Sequence, residues 1–393
     1  MNILILGRGK SAYSLYNVLS KEHFVSFAIE DYEKLDNNSI YKKDVDIDKY
    51  DKFFVSPGVK NDDLLYLKLK GSNKDISSEI EYALDKLKNH KIIAITGSNG
   101  KTTVASLLHH VLTKKGVKNV VCGNIGDPLI NYIDVDLDTL IILEISSFQL
   151  ERINFIKPYI SIITNITPNH LDRHTFKDYV NIKKKVYLYQ DNNDYLIINK
   201  ETYSIYNIES NSNIIISKKK KVKSKHLIGN HNYINIGYVI DVLKILNIED
   251  YYDEIKSFKG VKYRLEFLGK INNTNIYNDA KSSTIYSTIE ALKSVGTDTL
   301  LILGGRNKDI DYSIINNYKV KQIVMYGEEK DKTSLDVIKF NNLKEAFKYA
   351  INNQSKFKNI LYSPGFTSFD QYNNYNERGE EFERLFNQEI NNQ

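Results

Sequence analysis

The stretch "KIIAITGSNGKTTVASLLHHVL", residues 91–112, decides the fold. Ile92-Ile93-Ala94-Ile95 has the continuous apolar character of a buried strand, and Val104, Leu107, Leu108 and Val111 recur at helical intervals. Between them lies Gly97-Ser98-Asn99-Gly100-Lys101-Thr102-Thr103. A strand entering a helix through such a turn makes an anion site. The N–H groups of the first helical turn have no partner inside the helix, and the helix dipole favours negative charge there. Lys101 is placed to reach the outer phosphates of a nucleotide, and Thr102 to hold Mg²⁺. The common phosphate loop has four residues between its glycines; this one has only Ser98 and Asn99.

Upstream, "NILILGRGKSAYSLYNVL" leads a strand through Gly7-Arg8-Gly9-Lys10-Ser11-Ala12 into a helix, the form of a dinucleotide-binding turn. Glu30 and Asp31 follow where a ribose-binding acid lies in such folds, and "FFVSPGV" (53–59) is a strand ending in Ser56-Pro57-Gly58. Residues 1–89 therefore read as a small α/β domain holding a nucleotide-like group.

Residues 90–260 contain the phosphate loop and strand-like runs that end in polar residues: "VVCGNIGDP" (120–128), "LIILEISSFQLE" (140–151) and "SIITNITPNHLDRH" (161–174). Ligands of parallel sheets sit outside the carboxyl ends of the strands, where Asn124, Glu144, Ser146 and His170 fall. A carboxylate and an imidazole near a phosphate loop suit Mg²⁺ bound to nucleotide phosphates. His109 and His110, inside the helix, read as structural. Residues 261–393 contain "IYNDAKSSTIYSTIEAL", "TLLILGGRNKDIDY" and "NILYSPGFTSFDQYNNYNERGEEFERLF". Each begins with a strand and runs towards a helix, as in a doubly wound domain.

The chain of 393 residues has room for two or three domains, and its 41% hydrophobic and 26% charged content is that of a globular protein. No stretch of eighteen uncharged apolar residues occurs, and the N-terminus has no charged lead or cleavage site, so neither secretion nor membrane spanning is expected. A single cysteine, Cys122, excludes an internal disulfide and fits a reducing cytoplasm. The net charge of +5 is concentrated in "SKKKKVKSK" (217–225). Lacking arginines and interleaved aromatics, this run reads as a solvated loop, and no nucleic-acid partner is expected.

Together these segments resemble the Mur ligase family, the ATP-dependent amide ligases of peptidoglycan precursor synthesis. "TGSNGKTT" marks the superfamily, and its glycine spacing accounts for the short loop. "GNIGDP", "LEISSFQLE", "NHLDRH", "GNHNYIN" and "SFDQYNNYNERG" resemble the D-glutamate-adding branch.

The resemblance implies an α/β fold of three domains: a Rossmann-like N-terminal domain for UDP-N-acetylmuramoyl-L-alanine (1–89), a central P-loop ATPase-type parallel-sheet domain (90–260), and a Rossmann-like C-terminal domain for the amino acid (261–393). It assigns ATP phosphates to Gly97, Ser98, Asn99, Gly100, Lys101, Thr102 and Thr103. Asn232, Asn235, Arg264 and Asp279 would contact the rest of the nucleotide. The UDP-substrate would meet Ser11, Glu30, Ser56 and Asn124, and D-glutamate Ser283, Lys308, Ser368, Phe369 and Tyr375. Mg²⁺ would be served by Thr102, Glu144, His170 and Lys183. Lys183, within "YVNIKKKVYLYQ", aligns with the lysine that the family carries as an N-carbamate; on spacing alone it reads as a solvated surface lysine. A cytoplasmic monomer acting on small molecules is expected. The chain departs from the family pattern at Tyr263, Thr284, Asn169 and Gly365-Phe366-Thr367.

Other readings of the residues stay open. The first glycine turn also fits a dehydrogenase, which NAD(P)H oxidation would reveal. The phosphate loop and lysine run also fit a nucleotide-dependent switch or a nucleic-acid-binding protein, which would turn over nucleotide without a carboxylate substrate and bind polynucleotides in a salt-sensitive way. A ligase adding a different amino acid is the alternative within the family.

Overall fold

The computed structural model describes residues 1–169, 173–222, 224, 226–307 and 311–391. Its contacts divide the chain into two compact units, Met1–Lys221 with Ile234–Glu254, and Val222–Tyr233 with Ile255–Gln393.

The first unit holds two wholly parallel sheets. The N-terminal one is built from β1 (Asn2–Leu6), α1 (Lys10–Leu19), β2 (Phe24–Ile29), β3 (Ser39–Tyr41), β4 (Lys52–Val55), α2 (Leu64–Lys70), β5 (Asp75–Ser77) and α3 (Glu79–Lys86). Its strand order is β3-β2-β1-β4-β5. The chain winds one way from β1 and then the other, so the loops after β1 and β4 diverge and leave a crevice between them.

The second sheet follows with β6 (Ile92–Thr96), α4 (Lys101–Lys114), β7 (Asn119–Gly123), β8 (Leu140–Glu144), α5 (Ser147–Glu151), β9 (Ile160–Ile163), α6 (Phe176–Lys184), β10 (Tyr195–Asn199), α7 (Lys200–Ile205) and β11 (Asn213–Ser217). The order is β11-β10-β9-β6-β8-β7, with β6 central. Both faces of β6 are covered, which is why every residue of the strand is buried and the run is continuously apolar up to Thr96. Helices α8 (Asn230–Ile245) and α9 (Tyr252–Ser257) come next in the chain.

The second unit holds β12 (Glu266–Ile271), β13 (Thr274–Asn278), α10 (Ile285–Val295), β14 (Thr299–Gly304), β15 (Gln322–Tyr326), β16 (Ile338–Phe340), α11 (Leu343–Asn352), β17 (Asn359–Gly365) and α12 (Tyr375–Asn391). The order is β12-β13-β17-β14-β15-β16, parallel except for the edge strand β12. The doubly wound expectation holds for β13 and β17. After β14, however, the described residues form only a 3-10 turn, Ser313–Asn317, where the sequence suggested a helix. Asp311, Asn316 and Asn317 compete for backbone bonds in that short connection and favour turns.

The departures from the family pattern fill structural roles here. Tyr263 is buried against Gly379, where a Cβ would come within 2.6 Å of its ring. Thr284 caps α10 by accepting from Ser287 N, and Phe366 packs edge-on to Tyr312 with ring centroids 5.0 Å apart.

Candidate active site

The glycine loop after β6 is shaped by the segment that follows β9. Ser98 N donates to Asn165 O (2.9 Å) and Asn99 N to Asn165 Oδ1 (3.0 Å). Thr164 Oγ1 and Asn165 Nδ2 both donate to Asn99 O, at 2.6 and 3.0 Å. The Ser98 hydroxyl bonds Thr167 O at 2.9 Å and lies 3.1 Å from Tyr179 Oη. In this arrangement Ser98 and Asn99 brace the loop through contacts of their own, and Gly100 opens α4. Gly100 has φ +86°, and a Cβ on it would lie 2.7 Å from Asn235 Oδ1. Gly97 has φ +142°, and its Cβ would lie 2.0 Å from Thr164 Oγ1. Gly97→Ala is therefore expected to lower stability by about 1–3 kcal/mol through overpacking and backbone strain, measurable as a lower denaturation midpoint.

Lys101 curls over this loop, its Nζ donating to Gly97 O (2.9 Å) and Ser98 O (3.1 Å). Thr102 and Thr103 are buried in the first turn of α4. At the end of β8, Glu144 is 1% exposed. Its Oε1 accepts from Asn124 Nδ2 at 2.7 Å, and its Oε2 is buried with no hydrogen-bond partner. A buried carboxylate oxygen with nothing to bond is costly unless a cation completes it. A carboxylate oxygen of this kind is a hard donor of the type that Mg²⁺ accepts. Among the described residues no three His, Cys, Asp or Glu side chains converge as a ready metal cage. His170 lies outside the described residues.

Lys183 corrects the reading made from spacing alone. The inward face of α6 carries it to 1% exposure, with Nζ 3.4 Å from Thr96 Oγ1 and 4.6 Å from the Tyr179 ring centroid. It is thus held at the end of β6, whereas Lys184 donates to Tyr206 O after α7 and Lys185 to Ile153 O after α5. Burial, reinforced by the charge of Lys101, pushes the Lys183 ammonium well below the ordinary lysine range. His109, by contrast, pairs with Asn119 Oδ1 at 2.7 Å, away from the loop.

A cleft of about 1760 Å³ opens beside this centre. One wall comes from Gly7 after β1, Ser11 in the first turn of α1, Glu30 after β2 and Ser56 after β4; the other carries Asn124, Ser146, Phe148 and Gln149. All four residues expected to meet the UDP-substrate therefore share one cavity. Asn124 faces it while bonding Glu144, which links the cleft to the phosphate loop. Glu30 also accepts from Lys42 Nζ at 2.9 Å, a cation that the sequence reading did not single out.

In the second unit, Asp279 is buried with both oxygens engaged: Oδ1 accepts from Leu265 N (2.8 Å), and Oδ2 from the Ser282 and Ser363 hydroxyls (2.6 and 2.7 Å). Burial pushes its carboxyl up against the pull of these bonds. Here the carboxylate ties β13 and β17 to the turn that carries Arg264. That turn is left-handed at Tyr263 (φ 61°) and Leu265 (φ 44°). Asn232 donates to Ile228 O at 2.6 Å. Ser283 is exposed, Ser368 is buried, and Phe369 and Tyr375 are 59% and 37% exposed. The loops carrying Ser283 and Ser368 are held together by Arg378, which is fully buried and donates to Ala280 O, Ser282 O and Phe366 O. Arg378 sits within the quoted "YNERG" and could have been found there as an arginine at a helical core position. Lys308 lies outside the described residues.

The Mur ligase middle domain matches residues 95–280. The UDP-N-acetylmuramoylalanine–D-glutamate ligase of Thermotoga petrophila is 32% identical, with 98% of each chain covered. The chain belongs to the Mur ligase family. The enzyme of the same name from Rickettsia bellii is 31% identical over 98% of this chain and 97% of its own. Among solved Mur ligases, MurC of Thermotoga maritima superposes with a TM-score of 0.62 at 15% identity, covering 99% of both chains. MurF from the same organism, in complex with ADP, gives 0.63 at 14% identity, covering 99% of this chain and 95% of its own. At such identities the structures establish a shared fold. No helix among the described residues is long and apolar enough to cross a membrane.

Proposed function

We propose that this chain is the ligase that joins D-glutamate to UDP-N-acetylmuramoyl-L-alanine at the expense of ATP, in peptidoglycan precursor synthesis. The observation that carries this reading is near-full-length similarity, at 31–32% identity, to enzymes of that name. The braced glycine loop and the adjoining cleft support it. We read the layout as three domains, 1–89 for the UDP end, 90–260 for ATP and 261–393 for the amino acid, acting as a monomer in the cytoplasm.

A carboxylate does not condense with an amine in water because oxide is a poor leaving group. Transfer of the γ-phosphoryl of ATP to the alanyl carboxylate breaks the β,γ-phosphoanhydride and gives an acyl phosphate and ADP. The neutral amine of D-glutamate then attacks its carbonyl; the tetrahedral intermediate loses a proton from nitrogen, and its C–O bond to phosphate breaks to leave the amide and inorganic phosphate. Positioning and charge neutralisation dominate such phosphoryl transfer. Lys101 and the N-terminus of α4 neutralise the phosphates, with Thr103 in the same turn. Asn235 packs against Gly100 and keeps the loop closed on the nucleotide. Ser11, Ser56 and Asn124 orient the sugar-nucleotide in the cleft, and Glu30 borders its uracil end. Asn232, Arg264 and Asp279 take the rest of the nucleotide, Asp279 by fixing the Arg264 turn. Ser283, Lys308, Ser368, Phe369 and Tyr375 take D-glutamate.

Thr102, Glu144 and His170 would hold Mg²⁺, with Lys183 as an N-carbamate; the ion supplies charge neutralisation at the phosphates. The unpartnered Glu144 oxygen and the depth of Lys183 support this.

The test is phosphate release from ATP with UDP-N-acetylmuramoyl-L-alanine and a panel of amino acids. Release is expected only when D-glutamate is also present, with L-glutamate inactive. Equal stimulation by L-glutamate or meso-diaminopimelate would overturn the assignment of the amino acid. Release without any carboxylate substrate would instead favour a nucleotide switch.

A further inference from the structure

The two walls of the cleft are joined at one point by a compact group of charged side chains to which the proposed reaction assigns no role. Arg173, just before α6, is largely buried, with 11% of its side chain exposed. Its Nη1 donates to Pro57 O and its Nη2 to Val59 O, each at 3.0 Å. The Nη2 atom also donates to Glu151 Oε2 at 2.7 Å, and the guanidinium lies 4.5 Å from the centroid of the Phe148 ring. Arg152 adds a second bond to Val59 O at 2.8 Å, and Glu151 accepts from Asn61 on the same turn. Pro57 and Val59 belong to the turn after β4 and Phe148 to the opposite side, and all three line the cleft.

A backbone turn that ends a short strand has few contacts of its own. Here its carbonyls point at a planar fork that is itself fixed from behind by a carboxylate and from the side by a ring. Such a fork holds direction as well as distance, which a lysine cannot do. We infer that Arg173 is a positioning residue for the sugar-nucleotide: it fixes the Pro57–Val59 turn against Phe148 and so sets the width of the cleft in which that substrate binds. The inference rests on reading the cleft as the UDP-substrate site. It predicts an effect on one substrate among three, because the glycine loop and the amino-acid residues make no bond to Arg173 or Glu151 among the described contacts.

The experiment measures steady-state phosphate release by the full chain, varying each substrate in turn, for Arg173→Ala, Arg173→Lys, Glu151→Gln and, as a probe of the cleft itself, Asn124→Ala. Arg173→Ala is expected to raise the KM for UDP-N-acetylmuramoyl-L-alanine by about tenfold or more, with the KM for ATP and for D-glutamate within about twofold of wild type. Arg173→Lys should raise it less. Glu151→Gln keeps the size of the side chain and should shift the same KM even if Arg173→Ala does not fold. The double variant Arg173→Ala/Glu151→Gln should be no worse than Arg173→Ala, since the two act as one unit. A uniform rise in all three KM values, or a loss confined to kcat, would mean that Arg173 only stabilises the fold. If Asn124→Ala raises the sugar-nucleotide KM while the Arg173 and Glu151 variants leave it unchanged, the cleft reading stands and the inference fails. If none of them raises it, the cleft reading itself is wrong.

Discussion

Lys183→Ala is expected to lower turnover by about a hundredfold or more, the scale seen when one preorganised charge-stabilising group is removed from a transition state. The fold should survive. The side chain's only hydrogen bond in the described structure is a 3.4 Å contact to Thr96 Oγ1, so deleting it removes little bonding. An unmodified ammonium here would repel both Mg²⁺ and Lys101, whereas a carbamate would present hard oxygens to the ion. Burial lowers the Lys183 pKa and so favours the neutral amine, the form that adds carbon dioxide. Acetate and other short carboxylates should then partly restore activity to Lys183→Ala by entering the vacated space. Lys184→Ala and Lys185→Ala, whose amines donate to backbone carbonyls at Tyr206 and at Leu150–Ile153 and not towards Thr96, should be milder. Kinetics with and without added carboxylate, alongside a melting curve, decide the matter. Near-normal turnover of Lys183→Ala at low bicarbonate would remove the lysine from the metal site.

Lys101→Ala should be at least as damaging, with kcat/KM for ATP lowered by about a thousandfold. Its amine already lies over the loop, bonded to Gly97 O and Ser98 O. Little reorganisation is therefore needed to meet phosphate oxygens. Lys101→Arg should not rescue it, because the two-residue span between Gly97 and Gly100 leaves a tight pocket for a compact ammonium and a planar fork must approach differently. Both variants should keep the wild-type melting temperature within a few degrees, since the lysine caps carbonyls that water can serve equally well. Retention of activity within about tenfold of wild type by Lys101→Ala would place the phosphates elsewhere.

The glycine loop, its strand and its helix were legible in residues 91–112 because every signal there is local: an apolar run, paired glycines and helical spacing. The polar residues at strand ends were legible for a related reason. In a parallel sheet ligands collect at carboxyl ends, so finding the strand finds the candidate site, and Asn124 and Glu144 do fall at or just past such ends. The same local logic misread the connection after β14. It also could not choose between a surface and a buried Lys183, since three consecutive lysines look alike until the face of α6 that meets β6 is known.

What the sequence by itself determined is most of the elements, the glycine turn into α4 and the family. The tertiary structure alone decided which long-range partners those elements acquire. Asp279 reaches Ser363 across 84 residues, Arg173 reaches Pro57 across 116, and Glu144 is left with one oxygen unbonded. The physical reason is that periodicity records only which face of an element is apolar. Whether a buried charge is satisfied, shared or left waiting for a ligand depends on the elements that pack against it, and on nothing in its own neighbourhood along the chain.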